Sequence, residues 1–167
     1  MLNLSQAGGG CTINLTVHFI DFIFCLVKEE IKTVYTALSN LIHHEDIEDF
    51  SSVILRTNDG ITCIIETGYA YPNVTKKQRD IYYSIIFNNN YLTVQDEKIT
   101  WIEDKLIKEN NIITNTDKYY PIFIREVLNA TIKEEKPKAS LRDMYKAMKV
   151  IDAIYKSRRK RKVIDLI

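Results

Sequence analysis

The segment from Gly8 to Val27, GGGCTINLTVHFIDFIFCLV, decides how the chain is interpreted. After its three glycines it contains no helix breaker, so it predicts a helix from Cys11 to about Lys28. Most positions are apolar, but the polar ones recur at i, i+4, i+7 and i+11 and therefore share one helix face. They are Asn14, His18, Asp21 and Cys25.

Two interpretations of this polar face are open. In the first, His18 bonds Asn14 and Asp21 inside a satisfied core, because buried polar groups need partners. In the second, the face meets a ligand. The glycines favour the second interpretation, since they let a ligand or another backbone approach closely and the start of a helix attracts anionic groups. We therefore predict a cofactor contact at Gly10.

Composition is that of an ordinary globular protein and excludes several functions. The chain has 167 residues, 46% of them hydrophobic and 27% charged, with a net charge of +1. This charge gives no overall field for steering nucleic acid or an anionic membrane. The apolar run after Cys11 is shorter than the roughly 20 residues that span a bilayer. Three scattered cysteines without CxxC spacing argue against disulfides and a zinc site. We expect a cytoplasmic protein without a metal, a nucleic-acid partner or a membrane span.

The middle of the chain predicts successive antiparallel strands. Asn58-Asp59-Gly60 lies between two apolar runs and predicts a hairpin turn, and Asn88-Asn89-Asn90 predicts a second reversal. The runs lie at 31–38, 51–56, 61–66, 80–87, 91–94 and 98–102. The run at 80–87 is apolar at odd and even positions alike, so both faces of that strand need cover.

Helical periodicity returns after Asn110. Ile124, Leu128 and Ile132 recur at four-residue spacing as a core stripe. Ser140 to Asp143 resembles a capping box that starts a helix to about Ser157. The positions expected to be buried on that helix are Leu141, Met144, Met148, Ile151 and Tyr155. With a last strand at 163–166, the order predicts a single α+β domain over residues 1–167, an open, mainly antiparallel mixed sheet with helices on one face.

The motif around His18 resembles the Gfo/Idh/MocA oxidoreductases, which use nicotinamide dinucleotides on sugars, inositols and related polyols. Their second domain opens with a glycine pair or triplet followed by Asp-x-x-x-His-x-x-Asp on a helix, and here Gly8-Gly9-Gly10 precedes Asn14-Leu-Thr-Val-His18-Phe-Ile-Asp21. The resemblance continues through IETGYAYP (65–72) and SLRDMYKAMKVIDAIYKSRRKRKVIDL (140–166). It thus covers nearly the whole chain.

The resemblance implies roles for individual residues. His18 matches the family's proton-handling histidine, which takes the hydroxyl proton in oxidation and returns it in reduction. Asn14 stands where the family usually has aspartate, so it can orient the imidazole but cannot stabilise its cation by charge. Some family members that oxidise nucleotide sugars resemble this Asn-x-x-Val-His-Phe form. Asp21 is expected to bind substrate hydroxyls or to hold the helix in place.

The resemblance also implies a two-domain enzyme whose cofactor half is not in these residues. The sequence has no GxGxxG, and Glu135-Lys136-Pro137 lies after the sheet, where the family's lysine motif does not belong. We therefore expect a substrate domain without its Rossmann domain. It would bind no cofactor alone, would depend on NAD or NADP in the complete enzyme, and would form a homo-oligomer through the sheet.

Three other features contain residue types that are found in binding sites. KSRRKRK (156–162) sits at a helix end where cations suit the dipole, although a nucleic-acid patch is the alternative. HHEDIED (43–49) has metal-ligand residue types, but we expect a solvated strand connection. The alternatives for the aromatic side chains are stacking in a sugar pocket and ordinary packing in and beside strands. They apply to Tyr69, Tyr71, Tyr119 and Tyr120. Only Tyr120, near a helix start, is a substrate-binding candidate.

Three functions remain open on the sequence. The first is the substrate and oligomerisation domain of a sugar or polyol dehydrogenase, possibly acting on nucleotide sugars, with His18 as its proton-transfer residue. The second is a non-catalytic assembly or regulatory module derived from such an enzyme. The third is a nucleic-acid module that binds through Arg158, Arg159 and Arg161.

Overall fold

The structure is a computed structural model that describes residues 4–69, 80–95, 97–112, 119–136 and 140–166. The chain divides into two compact units, one made of residues 1–70 and 138–167 and the other of residues 71–137. Each unit contains one four-stranded sheet. Every strand pair among the described residues is antiparallel. The predicted α+β fold class is confirmed.

The first unit places its helices on one face of a four-stranded sheet. Its helical elements are α1 (Leu4–Ala7), a π-helical segment (Thr12–Thr16), α2 (Val17–Leu26) and α4 (Leu141–Lys160). Its strands are β1 (Ile31–Ser39), β2 (Phe50–Thr57), β3 (Thr62–Gly68) and β8 (Ile164–Asp165), and their order in the sheet is β3-β2-β1-β8. The predicted hairpin turn is confirmed, because Gly60 adopts φ +94 between β2 and β3 and the Thr57 amide donates to the Ile61 carbonyl at 3.0 Å.

The core of this unit forms where α2 and α4 cover the inner sheet face. Alternation along the strands sends Val34, Val53 and Ile65 inward, as a half-buried sheet requires. Ile20 of α2 and Ile154 of α4 meet them and are fully buried.

The start and end of α4 are both fixed by side chains. The capping box is confirmed, since the Asp143 amide donates to Ser140 Oγ and the Ser140 amide donates to Asp143 Oδ2. Near the other end, Ser157 Oγ donates to the Lys162 carbonyl at 2.7 Å and accepts from the Thr36 amide at 3.2 Å. These bonds hold the chain as it turns into β8 beside β1.

Among its described residues, the second unit contains a meander and one helix. The strands β4 (Tyr82–Phe87), β5 (Asn90–Gln95), β6 (Lys98–Glu103) and β7 (Leu106–Asn111) follow one another in the sheet, and α3 spans Tyr120–Ile132. Phe87 and Trp101 contact each other with ring centroids 5.0 Å apart, and Val94 is fully buried. The sequence does not predict β7, because its residues LIKENN are mostly polar. In the structure all six are exposed.

One predicted core stripe is wrong, and a second is wrong in part. α3 forms as expected, but Ile124, Leu128 and Ile132 are 55%, 56% and 79% exposed. On α4, Leu141, Met144 and Met148 are exposed, whereas Ile151 is buried as predicted and Tyr155 packs half-buried against the core. The physical reason is the same for both helices. Periodicity shows which side of a helix is apolar, but it does not show how far a neighbouring sheet extends beneath it. No helix of the described residues is long and apolar enough to cross a bilayer.

We predict that Ile154→Ala lowers the free energy of unfolding by about 2 to 5 kcal/mol, because it leaves a cavity in a fully buried site. Urea unfolding followed by circular dichroism measures this loss. Leu41→Ala is the control, since Leu41 is 73% exposed and its truncation should change stability by less than about 0.5 kcal/mol. Equal losses in the two variants would contradict the described core.

Candidate functional site

The helix that carries His18 begins as a π-helical turn rather than as a regular α-helix. The π-helical segment covers Thr12–Thr16, and α2 then ends at Leu26, two residues before the predicted end. Thr12, Thr16 and Ile20 face the core, and the predicted polar face is exposed along its whole length. Short π segments inside helices often occur at functional sites.

The structure accounts for each glycine of the triplet by local geometry. Gly8 adopts a left-handed φ of +72. A Cβ at Gly9 would overlap the hydroxyl oxygen of Tyr155, and one at Gly10 would overlap the carbonyl oxygen of Glu48. The close approach expected from the glycines is therefore made by the chain's own side chain and backbone.

Glu48 holds three successive amides at the start of this helical segment. Its Oε1 accepts from the Gly10 amide at 2.9 Å and from the Thr12 amide at 3.2 Å, and its main-chain carbonyl accepts from Cys11 at 3.0 Å. The first amides of a helix lack partners within the helix and attract negative charge. Glu48 supplies both the acceptors and the charge. The Gly10 amide, predicted to contact a cofactor, thus donates to Glu48, and its cofactor role stays a prediction.

The carboxylate of Glu48 is 1% exposed and has two further partners. The Tyr155 hydroxyl donates to Oε1 at 2.8 Å, and Arg158 Nη1 lies 4.0 Å from Oε2. A buried carboxylate is tolerated only with such hydrogen bonds and a nearby cation. Glu48 therefore joins the β1–β2 connection, the π-helical segment and the end of α4 at one point.

The prediction that residues 43–49 form a solvated connection is wrong for its last three residues. His43 to Asp46 are exposed, but Ile47, Glu48 and Asp49 are at most 2% exposed. Asp49 Oδ2 accepts from the amides of Ile42 and His43 at 2.8 and 2.7 Å, which folds the connection back on itself. Backbone amides donate to one carboxylate oxygen of each buried acidic residue, Oε1 of Glu48 and Oδ2 of Asp49, and a count of charges cannot show this.

A seam of polar contacts joins the π-helical segment to the end of β3. Thr16 Oγ1 and Thr67 Oγ1 lie 2.7 Å apart, and Cys11 Sγ donates to the Thr67 carbonyl at 3.7 Å. Two residues further along, the Tyr69 hydroxyl accepts from Asn14 Nδ2 at 2.8 Å. Thr67 lies near the end of β3 and Tyr69 one residue beyond it, and both contact the π-helical segment.

Burial and the two acidic residues keep the protons of the neighbouring groups in place. Burial, followed by the charges of Glu48 and Asp49, raises the pKa of the Cys11 thiol to about 11. Burial and the hydrogen bond to Glu48 raise the pKa of Tyr155. Burial also raises the pKa of Tyr69, partly offset by its bond to Asn14. At neutral pH all three groups are therefore neutral, and Tyr155 and Tyr69 keep a proton to donate.

The predicted site residues fall in different parts of the molecule. Asn14, His18 and Asp21 lie exposed in the first unit. The side chains of His18 and Asp21 make no hydrogen bond or ion pair within the described ranges, so the internal bonds of a satisfied core are not seen there. Tyr120 begins α3 in the second unit and is 61% exposed. Tyr71 and Pro137 lie outside the described residues.

Comparison with known protein families identifies the family of the chain. The family model of the GFO/IDH/MocA C-terminal domain matches residues 2–88, which include the glycine triplet, His18 and Glu48. The chain belongs to this family. No curated protein sequence matches the chain.

Solved oxidoreductases share the fold of this family member at low identity. The chain is similar to an oxidoreductase domain protein from Kribbella flavida, with a TM-score of 0.84, 12% identity and coverage of 99% of this chain and 54% of the other. It is also similar to the aldose-aldose oxidoreductase from Caulobacter crescentus complexed with glycerol, with a TM-score of 0.81, 15% identity and coverage of 98% and 49%.

A third similar structure is the WlbA dehydrogenase from Bordetella pertussis in complex with NADH and UDP-GlcNAcA. Its TM-score is 0.63 at 18% identity, with 95% of this chain and 46% of the other covered. This chain spans about half the length of the solved structures that it matches. At these identities the likeness shows the fold alone.

Three residues of the site were not selected from the sequence as site residues. The sequence predicts a solvated loop at Glu48 and a core position at Tyr155, and packing is the usual role of a tyrosine such as Tyr69. The sequence contains one sign that Glu48 is buried. It follows the apolar Ile47 and lies just before a predicted strand, so it does not belong to an uninterrupted run of solvated residues. The partner amides of Glu48 lie far away in the sequence, so the sequence did not reveal the contact.

We predict that Glu48→Ala lowers the free energy of unfolding by about 3 to 5 kcal/mol, since it leaves buried amides and a tyrosine hydroxyl without an acceptor. Glu48→Gln keeps one oxygen and should lose only about 1 to 3 kcal/mol. Urea unfolding measures both losses.

The matched control is Glu45→Ala, an exposed carboxylate in the same connection, which should change stability by less than about 0.5 kcal/mol. If Glu48→Ala were as stable as Glu45→Ala, Glu48 would not anchor the helix.

Proposed function

We propose that this chain is the substrate-binding and oligomerisation domain of a nicotinamide-dependent sugar or polyol dehydrogenase, with nucleotide sugars among the candidate substrates. The observation that carries the proposal is the exposed polar face with His18 at its centre, in a chain that belongs to an oxidoreductase domain family. The solved relatives in complex with glycerol and with a nucleotide sugar agree with this substrate class.

Proton transfer is the part of the reaction that these residues can carry. His18 would accept the proton of a substrate hydroxyl during oxidation and return it during reduction, because a histidine near neutral pH serves in either direction. Asn14 and Asp21, on the same exposed face, would orient the imidazole and bind substrate hydroxyls. Asn14 is neutral, so it would hold the ring without stabilising its cation.

The dinucleotide would be held by another domain. The start of the helix is the part of this chain predicted to contact it, but the amides of Gly10 and Thr12 already donate to Glu48. NAD or NADP would accordingly be bound by the Rossmann domain of the complete enzyme.

The three cysteines are free thiols, which agrees with a reducing compartment such as the cytoplasm.

We predict that turnover is restored when this chain is combined with a family dinucleotide-binding domain and is supplied with NAD or NADP and a panel of sugars and polyols. His18→Ala should then lose about 100-fold or more of the rate, since general acid–base catalysis contributes at least this much. The dehydrogenation rate followed by nicotinamide absorbance is the measurement.

The control for this experiment is His44→Ala, which removes an exposed histidine from the β1–β2 connection and should leave the rate unchanged. Full activity of the His18→Ala complex would reject the catalytic role. It would favour the second candidate, an assembly or regulatory module that does not need this histidine.

The exposed sheet faces support the oligomerisation half of the proposal. In the first unit, Tyr35, Ile54 and Ile64 lie side by side across three strands on the face opposite the helices and are 43%, 41% and 69% exposed. In the second unit, Ile86 is 77% exposed on the strand predicted to need cover on both faces. Apolar rows of this kind are typical of protein interfaces.

We predict that the wild-type chain forms a homo-oligomer and that Ile64→Asp and Ile86→Asp each shift it toward the monomer, because a charge opposes burial of the face. Analytical ultracentrifugation measures the association. Lys105→Asp introduces the same side chain in the exposed β6–β7 turn and should leave assembly unchanged. A monomeric wild-type chain would refute the oligomer.

A further inference from the structure

The hydroxyl of Tyr69 reaches the same exposed polar face that carries His18. It accepts from Asn14 Nδ2 at 2.8 Å, and Asn14 lies one helical turn before His18. The contact joins residues 55 positions apart and sits on the exposed side of the seam.

The backbone of Tyr69 is fixed by the buried connection. Its amide donates to the Asp49 carbonyl at 2.9 Å, and Asp49 is itself 1% exposed. Gly68 before it packs against the same carbonyl, where an added Cβ would lie only 3.1 Å away. The ring is half-buried, so its position is set from both ends. A side chain held in this way is suited to fix the orientation of a bound molecule.

The hydrogen bond between Asn14 and Tyr69 does not use the hydrogen of the Tyr69 hydroxyl. A phenol has one hydrogen and can also accept bonds. In the described residues its oxygen accepts from Asn14, and no acceptor for its own hydrogen is present there. A tyrosine hydroxyl keeps its hydrogen at neutral pH, and burial raises the pKa of Tyr69 further. An O–H donor held by Asn14, one helical turn from an exposed histidine, suits a ligand rich in hydroxyl or carbonyl oxygens.

We propose that Tyr69 is a substrate-binding residue whose hydroxyl, held by Asn14, donates a hydrogen bond to an oxygen of the sugar or polyol that His18 addresses. This inference rests on the proposed function. It also gives the asparagine at position 14 a use, because its amide N–H holds the phenol in a way that the carboxylate usual at this position could not, having no hydrogen to donate.

The alternative is that the pair only fastens β3 to the helix. Thr16 and Thr67 already make such a contact 2.7 Å apart in the buried part of the seam. A fastening role predicts lower stability without a change in affinity for small molecules. A binding role predicts lower affinity in a chain that stays folded.

The experiment titrates the full chain with D-glucose, myo-inositol and UDP-glucose and follows the 1H–15N resonances of His18 and of the Asn14 side-chain amide. Tyr69→Phe keeps the ring and removes the hydroxyl. We expect it to weaken binding of the best probe about threefold to tenfold, the effect of losing one hydrogen bond. Tyr35→Phe is the control, because it removes a tyrosine hydroxyl from the opposite face of the same sheet.

A double-mutant cycle with Asn14→Ala tests whether the two residues act together. The combined variant should bind about as weakly as the weaker single variant, because each change alone removes the held hydroxyl. Tyr69→Phe that binds every probe as tightly as wild type, while wild type does bind, would overturn this inference alone. A wild-type chain that binds none of the probes would contradict the proposed function and the inference with it.

Discussion

The structure of the first unit depends on one buried carboxylate meeting the start of one helix. Glu48 accepts hydrogen bonds from three successive amides, two through Oε1 and one through its carbonyl oxygen, and from the hydroxyl of Tyr155. A helix start carries unpaired donors and partial positive charge, and a buried carboxylate needs both. Unpaired amides and a buried carboxylate would each be unfavourable alone. Their hydrogen bonds to one another fix where the helix begins.

This constraint sets the position of the polar face. With its first amides held, the helical segment starts with a π turn that turns Thr12 and Thr16 inward and leaves Asn14 and His18 exposed. The same connection that supplies Glu48 continues into Asp49, whose carbonyl holds the amide of Tyr69. One buried acidic pair thus supports both sides of the seam. The function proposed for His18 needs this rigidity, because proton transfer requires a base held in a defined place.

Much of the fold could be predicted from the sequence, because it is encoded locally. The glycine turn at Gly60, the alternating strands and the capping box at Ser140 each involve neighbours in the chain, and the structure confirms them. The placement of Asn14, His18 and Asp21 on one helix face also followed from spacing, which left open whether that face is exposed. What could not be predicted depends on distant partners: Glu48 is buried because of amides 36 and 38 residues away, and α3 is exposed although its pattern is that of a core helix. A linear pattern states what a segment can bury, and only the assembled sheet decides what it does bury.

Hydrogen exchange at the Gly10 and Thr12 amides tests the central claim most directly. If both donate to the buried Glu48 carboxylate, their exchange in the native chain should be slow, approaching that of amides in the β1–β2 pair. In Glu48→Ala the same two amides should exchange much faster, while those of β5 and β6 in the other unit keep their protection. Rapid exchange of Gly10 and Thr12 in the wild-type chain would contradict the account, because the helix start would then be open to water and the polar face without its anchor.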